Sequence, residues 1–93
     1  MDTLIKRPGE TILYDMNMRG LGRLSTTDNI ASILSVVSDV AGINITNITD
    51  DGKHTAQFSI DGGSLGKQHK ITVTVQTVGG DILIGEGILK IEN

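Results

Sequence analysis

Residues 61–67 read DGGSLGK, with three glycines, a serine and a lysine in one short stretch. These are the residue types from which phosphate-binding loops are built. Such a loop has a glycine, four further residues and then Gly-Lys-Ser or Gly-Lys-Thr, set between a strand and a helix whose free N–H groups meet the anion. Here the residue five places before Gly66 is Asp61, and Gln68 follows Lys67. The segment beyond, HKITVTVQT, alternates apolar and polar residues, so a strand and not a helix is expected there. An aspartate at the mouth would also repel an anion. The stretch therefore predicts a turn, with Lys67 on its solvated rim.

Other candidates for chemistry are equally thin. Asp50-Asp51-Gly52 lacks the spacing and the later glutamate of a calcium loop, and its expected role is a solvated turn. His54 and His69 fall near the ends of neighbouring predicted strands. Two histidines without a third ligand do not make a zinc site, and both are expected at the surface. Serines are plentiful, but none is paired with a histidine in a catalytic motif. Asn44-Ile45-Thr46 and Asn47-Ile48-Thr49 match the glycosylation sequon, which matters only along a secretory route; they are expected to be strand and turn residues. Tyr14 and Phe58 are the sole aromatics, so a stacking platform for sugars is lacking. Without cysteine the chain has neither a disulfide nor a thiolate metal site, which fits intracellular synthesis. No catalytic residue, metal or cofactor is assigned, and the chain is expected to be non-enzymatic.

The elements that position these residues read mostly as strands. In TILYDMNMR, residues 11–19, Ile12, Tyr14, Met16 and Met18 share one face while Thr11, Asp15 and Asn17 take the other, the pattern of a half-buried strand. Pro8-Gly9 marks a turn before it, and TLIK at 3–6 is open to a short edge strand or an arm. Further on, INITNI aligns Ile43 and Ile45, Asp50-Asp51-Gly52-Lys53 carries the Asp-Gly signature of a hairpin, and TAQFSI aligns Ala56, Phe58 and Ile60. Ile71, Val73 and Val75 share a face of HKITVTVQT, and Gly79-Gly80 turns the chain again. In ILIGEGILKIEN the apolar parity shifts from Ile82 and Ile84 to Leu89 and Ile91 across Gly85-Glu86-Gly87, which predicts a bulge or a bend.

Residues 25–42 fit two patterns. Ile30, Ile33, Leu34, Val37 and Ala41 fall at helical spacing, with Thr27 or Asp28 as a cap and Gly42 as a stop. The β-branched residues, and the alternation Ile30, Ser32, Leu34, Val36, fit a strand instead. Pattern alone leaves this segment open.

A chain of 93 residues is one domain with a small core, and glycine turns every 8 to 12 residues or so indicate an all-β sandwich or small barrel of about six or seven strands. The division expected is an arm or edge strand over residues 1–10 and a single sandwich over 11–93. Net charge is −3, from 8 basic and 11 acidic residues of mixed order. No concentrated basic face with stacking aromatics is evident, so nucleic acid is not an expected partner. No apolar run is long enough to span a membrane, and MDTLIKRPGE lacks the apolar stretch of a secretory signal, so no leader is expected to be removed.

Pro8, Tyr14, Asn17, Asp28, Ile30-Ala31-Ser32, Gly42, Gly62-Gly63, Gly66, Thr77 and Gly80 together resemble the outline of small immunoglobulin-like virion proteins of tailed bacteriophages, of the fibre-tail adaptor or head–tail neck kind. The outline covers nearly the whole chain. Leu34 and His69 stand where such proteins often carry aromatics. The resemblance implies an immunoglobulin-like antiparallel β-sandwich and a strand over residues 30–37. It also implies a structural virion protein, made in the host cytoplasm and present in multiple copies in a ring. Its implied partners are portal, adaptor or tail-ring proteins and a tail fibre. Within that reading the expected core is Ile12, Tyr14, Met16, Ile30, Leu34, Val36, Ala56, Phe58, Ile60, Ile71, Val73, Val75, Leu89 and Ile91. The expected contacts are Lys6 and Arg7 in the arm and Arg19, Leu21 and Arg23 in a loop where arginines flank small residues, arginine being favoured at interfaces; the loop equally fits an ordinary solvated connection with Leu21 tucked into the end of the sandwich. A capsid decoration protein, or a bacterial module binding sugar or a cell surface, would share the fold.

Overall fold

Isoleucine, valine and threonine are stiff at χ1 and pack well on a pleated surface, and they dominate the strands of the computed structural model. It describes residues 2–20, 24–25, 27–39 and 41–92. Among these are seven strands and no helix: β1 (Asp2–Lys6), β2 (Ile12–Asn17), β3 (Ile30–Ser38), β4 (Ile43–Asp50), β5 (Thr55–Gly62), β6 (Gln68–Thr77) and β7 (Ile82–Ile91). One sheet has the order β1-β7-β6-β3 and the other β2-β5-β4. Every pairing is antiparallel except β1 with β7, which run parallel with Lys6 opposite Ile91. This is an immunoglobulin-like sandwich, and TLIK is its edge strand.

Between the sheets lie Tyr14, Met16 and Met18 from the β2 side, Ala56, Phe58 and Ile60 from β5, Ile71, Val73 and Val75 from β6, and Leu89 and Ile91 from β7. Ile30 and Leu24 close one end. Tyr14 and Phe58 are cross-strand partners, and their rings stack with centroids 5.3 Å apart and planes 6° from parallel. Ile12 and Val36 pack against this core without full burial.

β3 explains why its sequence fits two patterns. Its pairing with β6 slips between Ile30 and Ser32 and again between Ile33 and Ser35, and each bulge inserts one residue. The inward set is therefore Ile30, Ile33 and Val36, a spacing of three that imitates a helix. Leu34, expected in the core, is pushed outward by the second bulge and is 50% exposed.

β7 corrects a second expectation. Its pairing with β6 runs without a slip from Ile82 opposite Gln76 to Lys90 opposite Gln68, so no bulge or bend occurs at Gly85-Glu86-Gly87. The parity shift arises because Gly85 and Gly87 are themselves the buried, inward residues, while Ile82 and Ile84 face out. A Cβ on Gly85 would lie 2.7 Å from Met18 Sδ and 3.1 Å from Met16 Sδ, and one on Gly87 would fall on the Tyr14 hydroxyl. The bulk that β7 omits is supplied by β2.

Candidate functional site

The molecule measures 40 × 21 × 18 Å, and its connections gather at two ends. Among the described residues, one end holds 7–11, 39, 41–42 and 63–67; the other holds 18–20, 24–25, 27–29, 51–54 and 78–81. β2 separates the candidate contacts, with Lys6 and Arg7 before it and Arg19, Leu21 and Arg23 after it.

At the first end Lys6 is wholly buried, against the expectation of an exposed contact. Its Nζ donates to the carbonyls of Gly62 at 2.7 Å and Arg7 at 2.9 Å, so the ammonium is spent tying the end of β1 to the end of β5 in the opposite sheet. Arg7 beside it is exposed, and its N–H donates to the Glu10 carboxylate at 2.7 Å, which folds the turn through Pro8-Gly9. His69, expected at the surface, is 2% exposed, with Ser38 Oγ 3.2 Å from its Nδ1. It points inward because the odd-numbered residues of β6 all do.

DGGSLGK belongs to this end and carries the chain from one sheet to the other. Asp61 and Gly62 finish β5, and Gly62 and Gly63 take φ of 83° and 95°. A Cβ on Gly62 would sit 2.8 Å from the Gly42 carbonyl oxygen, and one on Gly63 2.7 Å from Ile91 Cδ1. Both glycines are thus required by conformation and by space. Lys67 is exposed, as expected. Residues 62–66 also spell Gly-x-Ser-x-Gly, the letters of a nucleophile elbow, but that elbow is a strand-to-helix turn. Here the loop runs from strand to strand, and Ser64 is exposed.

The second end is built around the connection 18–29, the longest in the fold. Its roots are pinned by main-chain bonds from Met18 N–H to the His54 carbonyl and from Ile30 N–H to the Lys53 carbonyl, each 2.8 Å. Arg19 is half-buried and donates from Nη2 to the Asp28 carbonyl at 2.9 Å, clasping the two sides of the connection. Leu21 and Arg23 lie outside the described residues. His54 stands here, bonded to Thr55, at the opposite end from His69. Among the described residues, no three His, Asp or Glu side chains are grouped to hold a metal.

Two aspartates brace this end. Asp28 accepts from the N–H groups of Asn29 at 2.9 Å and Gly79 at 3.0 Å. The Thr77 hydroxyl, followed by these two N–H groups, outweighs partial desolvation and holds its carboxyl below the ordinary value. Asp51 accepts from the N–H groups of Lys53, His54 and Thr55. Desolvation would raise the Asp51 carboxyl, but the three N–H bonds and the neighbouring His54 ring together lower it. A lowered carboxyl stabilises the fold above its unfolded value, and that contribution is lost as pH falls through the folded value. Asp28→Asn and Asp51→Asn are therefore expected to flatten the fall in thermal midpoint between about pH 5 and pH 2, as followed by calorimetry.

Of the five expected contacts, Arg7 lies exposed at one end, Arg19 is at the root of the long connection at the other, and Lys6 is internal. The structure does not bring them into one patch. Lys6 was missed as an internal residue because a lysine is rarely fully buried; Leu24 lies outside any periodic run, whereas Thr77 continues the inward parity of Ile71, Val73 and Val75 and was passed over because it is polar. The curated proteins and the solved structures compared with the chain include no match. A family model, podophage GP4 fiber-tail adaptor protein gp77, matches residues 6–90. That span takes in both loop ends, β2 to β6 whole and nearly all of β7, and the chain therefore belongs to the podophage GP4 fiber-tail adaptor family.

Proposed function

We propose that the chain is a non-enzymatic subunit of the podophage virion that joins the tail to a fibre, docking one partner at each loop end of its sandwich. The observation that carries this reading is the placement of Arg7 and Arg19 at opposite ends of β2 in an elongated domain. A sandwich holds its end loops on a fixed scaffold, and two separated ends suit a protein that bridges two others. The long connection, with Arg19, Leu21 and Arg23, is the surface proposed for the fibre or a neighbouring tail protein. Residues 7–10 are the surface proposed for the portal, adaptor or tail ring, where several copies would stand around the axis. A role on the capsid shell, or in binding sugar, is the weaker reading, since the family is named for fibre-tail attachment.

Arg19→Ala, Arg23→Ala and Arg7→Ala test the two ends separately. Each is expected to change folding stability by no more than about 1 kcal/mol. Arg23→Ala and Arg19→Ala are expected to lower the amount of fibre carried by purified particles, and Arg7→Ala the amount of the chain itself, as read from gel bands. Full assembly with all three variants would refute the assignment of these ends.

A further inference from the structure

In an antiparallel sheet with one solvated face, apolar side chains point inward and polar ones outward. β7 follows this rule only in part: Leu83, Leu89 and Ile91 face the core, but two glycines between them do so as well. These are Gly85 and Gly87, while Ile82, Ile84 and the half-buried Ile88 point outward. Its cross-strand neighbours on the outer face extend the surface: Ile84 lies opposite Thr74 and Glu86 opposite Thr72, which in turn lies opposite Val37. Ile82, Ile84 and Val37 are 62%, 49% and 51% exposed. The outer face of the other sheet also exposes Leu13 and Ile48, but there polar pairs, Asp15 with Gln57 and Asn44 with Asp61, stand beside them. Isoleucine contributes nothing to solubility, and three on one solvated strand mark a surface that is covered.

The charge on this face indicates what covers it. Near its middle, Lys70 Nζ and Glu86 Oε2 pair at 3.1 Å, both still open to solvent. They stand on adjacent strands, so a two-fold axis running between β6 and β7 would bring Lys70 of one copy to Glu86 of the other and the reverse. A pair placed in this way complements a second copy of itself, because each copy offers the other the opposite charge; Lys90, on the same outward parity, adds a further positive charge toward the end of the face. Four strands present roughly 500 Å² of sheet, so two copies would bury roughly 1,000 Å², the threshold of a specific interface. We infer that this outer face of the β1-β7-β6-β3 sheet binds a second copy of the chain face to face, through Ile82, Ile84 and Val37 and an exchanged Lys70–Glu86 pair.

Sedimentation velocity on the purified chain tests this. The chain is expected to run as a dimer that dissociates on dilution, and Ile84→Asp to raise the dissociation constant at least about tenfold. Lys70→Glu and Glu86→Lys should each weaken the dimer. An equimolar mixture of those two variants should recover it, because each then faces the opposite charge across the two-fold. An ion pair confined within one chain would not be repaired by mixing, so this readout separates the two roles. Circular dichroism checks that each variant folds; if Ile84→Asp does not, the mixture decides alone. A chain that stays monomeric at about 1 mM overturns the inference. So does a dimer indifferent to Ile84→Asp, or single charge variants that mixing leaves weak. A monomer whose Ile84→Asp variant no longer joins particles also overturns it, and assigns the face to another virion protein.

Discussion

Gly87→Ala is expected to cost about 3 kcal/mol or more in urea unfolding, enough to unfold much of a domain this small at ordinary temperature. The reason is steric. Gly87 lies on the inward side of β7, against the hydroxyl end of the Tyr14 ring that stacks on Phe58, and an added methyl would occupy the place of the Tyr14 hydroxyl. A ring held by stacking and by the strand beneath it has little room to retreat. Gly85→Ala is expected to cost less, about 1–2 kcal/mol, because the atoms its Cβ would meet are thioether ends of Met16 and Met18, which can rotate away. The cause is checked by combination: Tyr14→Phe removes the oxygen, so Gly87→Ala added to Tyr14→Phe should be markedly less damaging than Gly87→Ala alone. Equal cost in both backgrounds would place the strain elsewhere.

Lys6→Ala carries the second large effect, about 2–4 kcal/mol, since it opens a cavity and leaves the Gly62 carbonyl without its donor. Lys6→Met should cost less, about 1 kcal/mol, because the methionine keeps the buried stem while giving up the two bonds, and removing a buried charge returns its desolvation cost. Hydrogen exchange distinguishes a tether from a mere filler. With the ammonium gone, the amides linking β1 to β7 should exchange faster in both variants, while those of β2 with β5 keep their protection. Uniform loss of protection would show that Lys6 does not specifically fasten the edge strand.

These two positions also mark the limits of what could be read from residues alone. The face of β2 through Tyr14, Met16 and Met18, the β5 set Ala56, Phe58 and Ile60, and the Asp51-Gly52 hairpin follow from period two and turn chemistry, because nothing interrupts their pairing. β3 does not, since two bulges convert its period to three and expel Leu34. β7 misleads for a different reason: the change of apolar parity from Ile82 and Ile84 to Leu89 and Ile91 reads as a bulge or bend, while the strand is regular and Gly85 and Gly87 hold the inward places between, fitted to Tyr14, Met16 and Met18. That complement is a property of two strands distant in sequence. Lys6 and His69 are polar residues in internal places, Lys6 satisfied by main-chain carbonyls and His69 bonded to Ser38, and no spacing rule reports such partners. The candidate ends fared similarly. The long connection after β2 was legible from its glycines and arginines, but its separation from Arg7 by the length of a strand depended on the fold.

Electron microscopy of intact particles tests the adaptor role most directly. Density for this sandwich is expected where the tail meets the fibre, in a copy number set by the symmetry of the tail ring, with the connection after β2 turned toward one neighbour and residues 7–10 toward the other. Density spread over the capsid lattice in hundreds of copies, or its absence from the tail, would contradict it.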